Sequence, residues 1–283
     1  MKLAAGVMGS PITHSLSPRL HGFWIKKYGL DASYLAREVK PDLLEDILKN
    51  LPEACAKRGE NFRGTNLTIP LKEKALEIVD ILEPSAKRIG AVNTIIVGDD
   101  GKLIGRNTDG IGFRDNLADH MDISRFKGGS ALVLGAGGAA KAIVYALQEM
   151  GFSEILITNR TRIRASDLVR HAGAPCTSIA WDEKATHLET IDLLINTTSL
   201  GMTGQPALEM SLEWLKKDAV VTDIVYVPLK TDLLLTAEKK GHVAVDGLGM
   251  LLHQAKAGFE AWFGVKVDVD DALRAHVLEG LKK

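Results

Sequence analysis

Apolar positions recur along this chain in two rhythms. Short apolar or alternating runs, which read as strands, are followed by longer stretches with apolar residues at helical spacing. Leu3–Met8 is a strand that breaks at Gly9-Ser-Pro-Ile-Thr-His-Ser-Leu-Ser-Pro18. A helix follows, with Ser17 suited to its N-cap and Pro18 to its first position. Ser33–Val39 alternates as a second strand, and Pro41 opens a helix carrying Leu43, Leu44, Ile47, Leu48 and Leu51. Phe62–Ile69 is a strand leading into an amphipathic helix over Pro70–Val79. Thr94–Val97 and Leu103–Gly105 flank the turn Gly98-Asp-Asp-Gly101, and Asn107-Thr-Asp-Gly110 begins another helix.

From Ser130 the alternation is more regular. Strands are predicted at Ala131–Leu134, Glu154–Thr158, Asp192–Asn196, Val220–Ile224 and His242–Val245, with a weaker one near Pro175–Ile179. Two helices, Gly249–Gly264 and Asp268–Lys283, close the chain. The succession predicts an α/β protein of two domains. Residues 1–108 begin an α/β substrate domain, residues 109–246 form a doubly wound domain, and residues 247–283 return to complete the first. A ligand cleft is expected between the domains.

The doubly wound part opens on Ala131-Leu-Val-Leu-Gly-Ala-Gly-Gly-Ala-Ala140, a strand, a glycine turn and the start of a helix. That is the G-x-G-x-x-A form of a Rossmann-type dinucleotide turn. Gly135 permits the tight turn, Gly137 admits a diphosphate to the backbone, and Ala140 keeps helix and strand close. Ala136, Gly138 and Ala139 complete the cradle. An NAD-selective site carries a carboxylate at the end of the second strand. Here Ile155-Leu-Ile-Thr158 runs into Asn159-Arg-Thr-Arg-Ile-Arg164 instead. Guanidinium forks match the oxygens of a ribose 2′-phosphate, so NADP is the expected cofactor, with Arg160 and Arg164 leading.

Composition adds only exclusions. The chain has 283 residues, enough for two domains, and a formal net charge of -1, which gives no support to a nucleic-acid or anionic-membrane partner. No apolar run approaches the ~20 residues of a membrane span, and the N-terminal apolar stretch is too short for a signal peptide. Cys55 and Cys176 stand alone, so neither a disulfide framework nor a metal site is expected. The simple reading is a reduced, cytoplasmic protein.

The first domain carries small hydroxyls, amides and one awkward charge. Ser15 and Ser17 bracket a helix start where hydroxyls and N–H groups could hold a carboxylate. Asn66 and Thr68 share one strand face in Thr65-Asn-Leu-Thr-Ile-Pro-Leu-Lys72. Lys72 falls in the first turn of the helix expected from Pro70. There it faces the positive dipole end, a poor structural choice that eases loss of its proton. Asn93 ends Gly90-Ala-Val, and Asp109 sits in Asn-Thr-Asp-Gly110. A lysine held by an aspartate, with Asn and Ser/Thr around it, suits proton relay to a carbinol oxygen during hydride transfer on a polyhydroxylated acid. In the tail, His253 and Gln254 are equally placed by spacing alone. His14 and His21 read as ordinary turn and helix residues.

Taken in order, Gly9–Pro18, Asn66–Lys72, Gly90–Thr94, Gly105–Gly110, Gly135–Ala139, Asn159–Thr161 and Asp246–Met250 resemble the shikimate/quinate dehydrogenase family nearly end to end. The resemblance implies NADPH-dependent, reversible reduction of 3-dehydroshikimate within aromatic amino-acid biosynthesis. It implies that Ser15 and Ser17, with Thr68 nearby, hold the substrate carboxylate, and that Asn66, Lys72, Asn93, Asp109 and Gln254 surround the ring hydroxyls. Lys72 and Asp109 resemble the catalytic pair, and Tyr226 the family's tyrosine close to substrate. For the cofactor it implies Gly135–Ala139, Asn159, Arg160, Thr161 and Arg164, the loop Thr197, Thr198 and Ser199 beneath the nicotinamide, and Gly247 and Met250 touching that ring. Two departures stand out: Gly22 where many members have Asn, and Val225 where an aromatic residue or Met is common.

Competing readings are a quinate or dual quinate/shikimate dehydrogenase, a non-catalytic ligand sensor on the same fold, and a Rossmann enzyme acting on a one-carbon folate. Asn159-Arg160 and Ser17 argue against the first. Retention of both Lys72 and Asp109 argues against the second, and the serine pair with Asn-Thr-Asp argues against the third. A small-molecule substrate is the expected partner, on a monomer or homodimer.

Overall fold

The computed structural model describes residues 1–282. They divide into two compact units, Met1–Thr108 with Leu252–Lys283 forming the first and Asp109–Leu251 the second.

In the first unit, β1 (Lys2–Gly9), α1 (Ser17–Lys27), β2 (Ala32–Glu38), α2 (Leu44–Ala56) and β3 (Glu60–Leu67) alternate as the hydrophobic pattern predicts. They are followed by α3 (Leu71–Lys74), β4 (Ile81–Leu82), α4 (Pro84–Ile89), β5 (Thr94–Val97) and β6 (Leu103–Arg106). The strands form a mixed sheet in the order β2-β1-β3-β5-β6-β4. β1 pairs in parallel with β2 and β3, and β5 runs antiparallel to β3 and β6. Leu44, Leu48, Leu51 and Cys55 of α2 are buried in one cluster with Ala4, Met8, Phe62 and Leu67 of the sheet. That spacing of buried positions is the apolar stripe of an amphipathic helix.

Two local expectations fail. Ser17 is not the N-cap of α1 but its first residue, following Leu16, which makes no side-chain cap. The Ser15 hydroxyl instead accepts the Ser17 N–H at 3.3 Å. The helix expected over Pro70–Val79 is a single α turn, Leu71–Lys74, tightening into a 3₁₀ turn at Ala75–Glu77. So short a helix has almost no macrodipole, which removes the electrostatic argument made for Lys72.

The second unit begins with α5 (Asp109–Ala118) and continues through β7 (Ser130–Leu134), α6 (Gly138–Glu149), β8 (Glu154–Thr158), α7 (Arg162–Ala172), β9 (Cys176–Ile179), β10 (Leu193–Asn196), β11 (Val220–Asp223), α8 (Asp232–Lys239) and β12 (Val243–Val245). All its strand pairs are parallel, in the order β12-β11-β10-β7-β8-β9. This is the doubly wound 3-2-1-4-5-6 arrangement, with β7 at the centre. Ala131, Val133, Ile155, Ile157, Leu193 and Ile195 fill one buried cluster with Ile143 and Leu147 of α6. Near-continuous apolar strands are what a parallel sheet covered by helices requires.

The chain then enters α9 (Gly247–Phe263), whose later part belongs to the first unit together with α10 (Asp271–Glu279). The indole of Trp262 donates to Ile95 O at 2.9 Å, and Gly64 makes room for that ring: a Cβ there would lie 2.4 Å from Trp262 Nε1. Trp24 of α1 donates to Asp268 O, and Arg19 pairs with Glu279. The predicted tail helix Asp268–Lys283 is thus α10 plus a terminal 3₁₀ turn, and Lys283 lies outside the described residues.

Candidate active site

In the first unit the predicted polar residues are joined by a hydrogen-bonded chain. The Tyr34 hydroxyl donates to Asn66 Oδ1 at 2.6 Å. Asn66 Nδ2 donates to Asn93 O and to Thr94 Oγ1, both at 3.1 Å. The Thr94 hydroxyl donates to Asn93 Oδ1 at 2.9 Å. Asn93 and Thr108 then bond twice, Thr108 N–H to Oδ1 at 2.9 Å and Asn93 Nδ2 to Thr108 Oγ1 at 3.1 Å. Finally Thr108 Oγ1 faces Gln254 Oε1 at 3.3 Å. Between the spacing-equivalent pair His253 and Gln254, it is Gln254 that joins this chain.

Two consequences follow. Asn66 gives both its N–H groups to the protein, so toward a ligand it offers only its carbonyl. Tyr34, Thr94 and Thr108, none of them singled out from sequence, hold Asn66, Asn93 and Gln254 in place. All three are buried, Thr94 and Thr108 completely. Both threonines sit inside the motifs Gly90–Thr94 and Gly105–Gly110, which was the available signal; Tyr34 looked like any strand aromatic.

Thr68 continues β3, its N–H on Met8 O at 2.9 Å, and its methyl takes the space a Cβ on Gly9 would need. Lys72 is half-buried, and its carbonyl accepts Val92 N–H at 2.8 Å, which ties α3 to the segment before Asn93. Ser15 is half-buried and Ser17 is buried at the start of α1. Asp109, 9 % exposed, is the first residue of α5 and directly follows Thr108.

His21 lies beneath this chain, stacked on Tyr34 with ring centroids 3.9 Å apart and flanked by Trp24, Phe259 and Trp262. Burial drives its pKa down to about 3, so the ring is neutral at ordinary pH.

In the second unit the glycine turn has the geometry that its sequence requires. Gly135 adopts φ +113°, and a Cβ there would come within 2.5 Å of Thr197 Oγ1. Gly137 and Gly138 have no neighbour within 4 Å of their Cβ positions. Gly137 precedes α6, whose N-terminus has no side-chain cap and no acidic residue in its first turn. Free N–H groups beside open space, with the dipole of a long helix behind them, suit a diphosphate. Asn159 Nδ2 donates to Thr161 O at 2.9 Å, shaping the turn after β8. Arg160, Arg162 and Arg164 are exposed, and none forms an ion pair among the described residues. A cradle open at Gly137 and exposed guanidinium groups beyond β8 fit NADP.

Thr197 is anchored to Leu134 O through both its N–H and its hydroxyl, each at 2.8 Å, placing the loop Thr197–Ser199 against the glycine turn. Gly247 packs on the Ile224 carbonyl, where a Cβ would sit 2.2 Å from the oxygen, and Met250 is buried. Tyr226 is half-buried, and burial pushes its phenol pKa up. Among the described residues, no group of His, Cys, Asp and Glu side chains could hold a metal ion, and no helix is long and apolar enough to cross a membrane.

Three family models match consecutive parts of the chain. They are the shikimate dehydrogenase substrate binding domain over residues 7–95, shikimate/quinate 5-dehydrogenase over 117–226, and the shikimate 5′-dehydrogenase C-terminal domain over 247–275. The chain is 52 % identical over 274 residues to a shikimate dehydrogenase (NADP(+)) of Paramagnetospirillum magneticum, covering 97 % of both chains. Among solved structures it is similar to shikimate 5-dehydrogenase from Thermus thermophilus in complex with NADP(H) and shikimate, with a TM-score of 0.83 and 36 % identity over 99 % of this chain and 98 % of that one. Quinate dehydrogenase from Corynebacterium glutamicum in complex with NAD shares the fold, with a TM-score of 0.87 at 27 % identity over 98 % and 99 % of the two chains. The chain therefore belongs to the shikimate dehydrogenase family.

Proposed function

We propose that this protein catalyses the reversible, NADPH-dependent reduction of 3-dehydroshikimate to shikimate, in the cytoplasmic route to chorismate and the aromatic amino acids. The observation that carries the choice of cofactor is the exposed Arg160–Arg164 set after β8, with no acidic residue in the first turn of α7.

When bound, the nicotinamide supplies the hydride that turns the ring ketone into a carbinol. The protein must supply a proton to the same oxygen. Lys72 gives that proton as negative charge develops on the oxygen, and takes it back in the oxidative direction. Asp109 is the second member of the catalytic pair with Lys72. Ser15, Ser17 and Thr68 hold the substrate carboxylate. Asn93 and Gln254 meet the ring hydroxyls, their amides turned by Thr108 so that donors and acceptors are fixed before substrate arrives. Asn66 contributes its carbonyl only. Tyr226 is assigned to the substrate, and Gly135–Ala139, Asn159, Arg160, Thr161, Arg164, Thr197–Ser199, Gly247 and Met250 hold NADP. The active species is a monomer or homodimer.

The test is a comparison of kcat/KM for shikimate and quinate, each with NADP and with NAD. Shikimate with NADP is expected to exceed the other three combinations. Faster oxidation of quinate with NAD would overturn the assignment in favour of the quinate branch of the family.

A further inference from the structure

The mechanism leaves the buried carboxyl of Asp223 without a role. Asp223 ends β11 and is 1 % exposed. No basic side chain pairs with it among the described residues; three neutral donors do the work. Val225 N–H and Asn196 Nδ2 both reach Oδ1 at 3.0 Å, and Thr231 Oγ1 reaches Oδ2 at 2.8 Å. A carboxylate buried without a counter-charge is a costly way to close a strand. What the arrangement provides is position.

Asn196 ends β10, and every polar atom of its amide is used. Nδ2 also donates to Leu200 O at 3.2 Å, while Oδ1 accepts Thr198 N–H at 3.0 Å and Thr198 Oγ1 at 2.7 Å. Thr198 Oγ1 in turn accepts Leu200 N–H at 3.1 Å. The loop Thr197–Ser199 is therefore folded around the Asn196 amide, and the amide is oriented by Asp223. On its other side that loop presses on Gly135, where a Cβ would meet Thr197 Oγ1 and Thr198 Cγ2. The same carboxylate oxygen fixes the backbone leaving β11 at Val225, next to Ile224, on which Gly247 packs.

We propose that Asp223 is a positioning residue that, through Asn196 and the Val225 N–H, holds the loop Thr197–Ser199 and the Ile224–Tyr226 segment in one relation to the glycine turn, as cofactor binding requires. The inference rests on the assignment of these segments to NADP.

Nucleotide fluorescence measures NADPH binding to the purified protein, alongside Tm and kcat. Asp223→Ala is expected to weaken NADPH binding by about tenfold or more and to lower kcat, while circular dichroism stays native. Asp223→Asn should restore affinity to within about threefold, since its carbonyl can serve Asn196 and Val225 while its N–H donates to the Thr231 hydroxyl. Thr231→Val removes the donor to Oδ2 and the α8 N-cap on Leu234 N–H but leaves both bonds to Oδ1, so it should lower Tm with little change in NADPH affinity. Should Asp223→Ala not fold, Asn196→Ala breaks the link from the loop side and carries the same expectation. Folded Asp223→Ala with wild-type affinity and kcat would overturn the positioning role, as would equal losses in Asp223→Ala and Asp223→Asn. Absence of NADPH binding by the unmodified protein would overturn the cofactor reading as well.

Discussion

Lys72 and Thr108 represent two kinds of residue in the proposed site. In the proposed mechanism Lys72 acts on the reacting oxygen, so Lys72→Ala should lower kcat by roughly 10²–10⁴ while NADPH affinity stays near normal. Unchanged turnover in a folded variant would remove Lys72 from the mechanism. Thr108 acts through its neighbours, bonding Asn93 twice and Gln254 once. Thr108→Val keeps the buried volume, and the main-chain N–H bond with it, but removes the hydroxyl that Asn93 Nδ2 and Gln254 Oε1 share. The loss of one or two buried bonds, about 1–3 kcal/mol, predicts a ~10–100-fold drop in kcat/KM for shikimate. Because Thr108 lies in the first unit, NADPH affinity measured by fluorescence should not move. A Thr108→Val enzyme with wild-type kcat/KM would show that Asn93 and Gln254 orient themselves.

Among elements, the turn between β7 and α6 separates two uses of glycine. Gly135 is needed by the fold, having φ +113° and Thr197 against it. Gly135→Ala should lower unfolding free energy by about 2–3 kcal/mol, measured by urea denaturation. Gly137 is extended rather than left-handed and faces open space. Gly137→Ala should leave stability within about 0.5 kcal/mol and weaken NADPH binding by ~10-fold or more, because the added methyl fills the diphosphate's approach. If both variants lost stability equally, the open space at Gly137 would have no bearing on the cofactor. The one-turn α3 makes a related point. A run of apolar residues at helical spacing predicted a longer helix, but the tertiary fold needs that segment to turn early, with Lys72 O bonded to Val92.

For the whole molecule, the buried His21 makes stability depend on pH. Its folded-state pKa of about 3 lies below the ~6.5 of an unfolded histidine, so the unfolded chain binds the proton more readily. The stabilising contribution is complete above pH ~6.5 and is lost as pH falls from there toward 3, at about 1.4 kcal/mol per unit. His21→Phe keeps an aromatic ring on Tyr34 and cannot titrate. Urea unfolding at pH 7 and pH 5 should show wild type losing about 2 kcal/mol more than His21→Phe. Parallel losses would mean that His21 is protonated without cost in the folded protein. This histidine read as an ordinary helix residue in the chain, since nothing local distinguishes it; its neutrality comes from Tyr34, Phe259 and Trp262, which are brought to it from other elements.

Local rules were enough for much of this protein. Apolar periodicity located the parallel strands of the second unit to within a residue or two, because buried parallel strands are nearly uniform in composition. The glycine turn and the arginines after β8 could be proposed as a phosphate-binding arrangement because the residues concerned are contiguous. Asn66, Asn93 and Gln254 could be named from their motifs, but their partners could not. Tyr34, Thr94 and Thr108 meet them across strands and from a helix far along the chain, and a hydroxyl's hydrogen bonds depend on what packs opposite it. Only the tertiary structure could decide that Asn66 has no N–H left to offer, that Ser15 rather than Ser17 caps its turn, and that Asp223 holds a loop two strands' connection away. Each of these is set by the simultaneous positions of several segments, and no single stretch of sequence contains them.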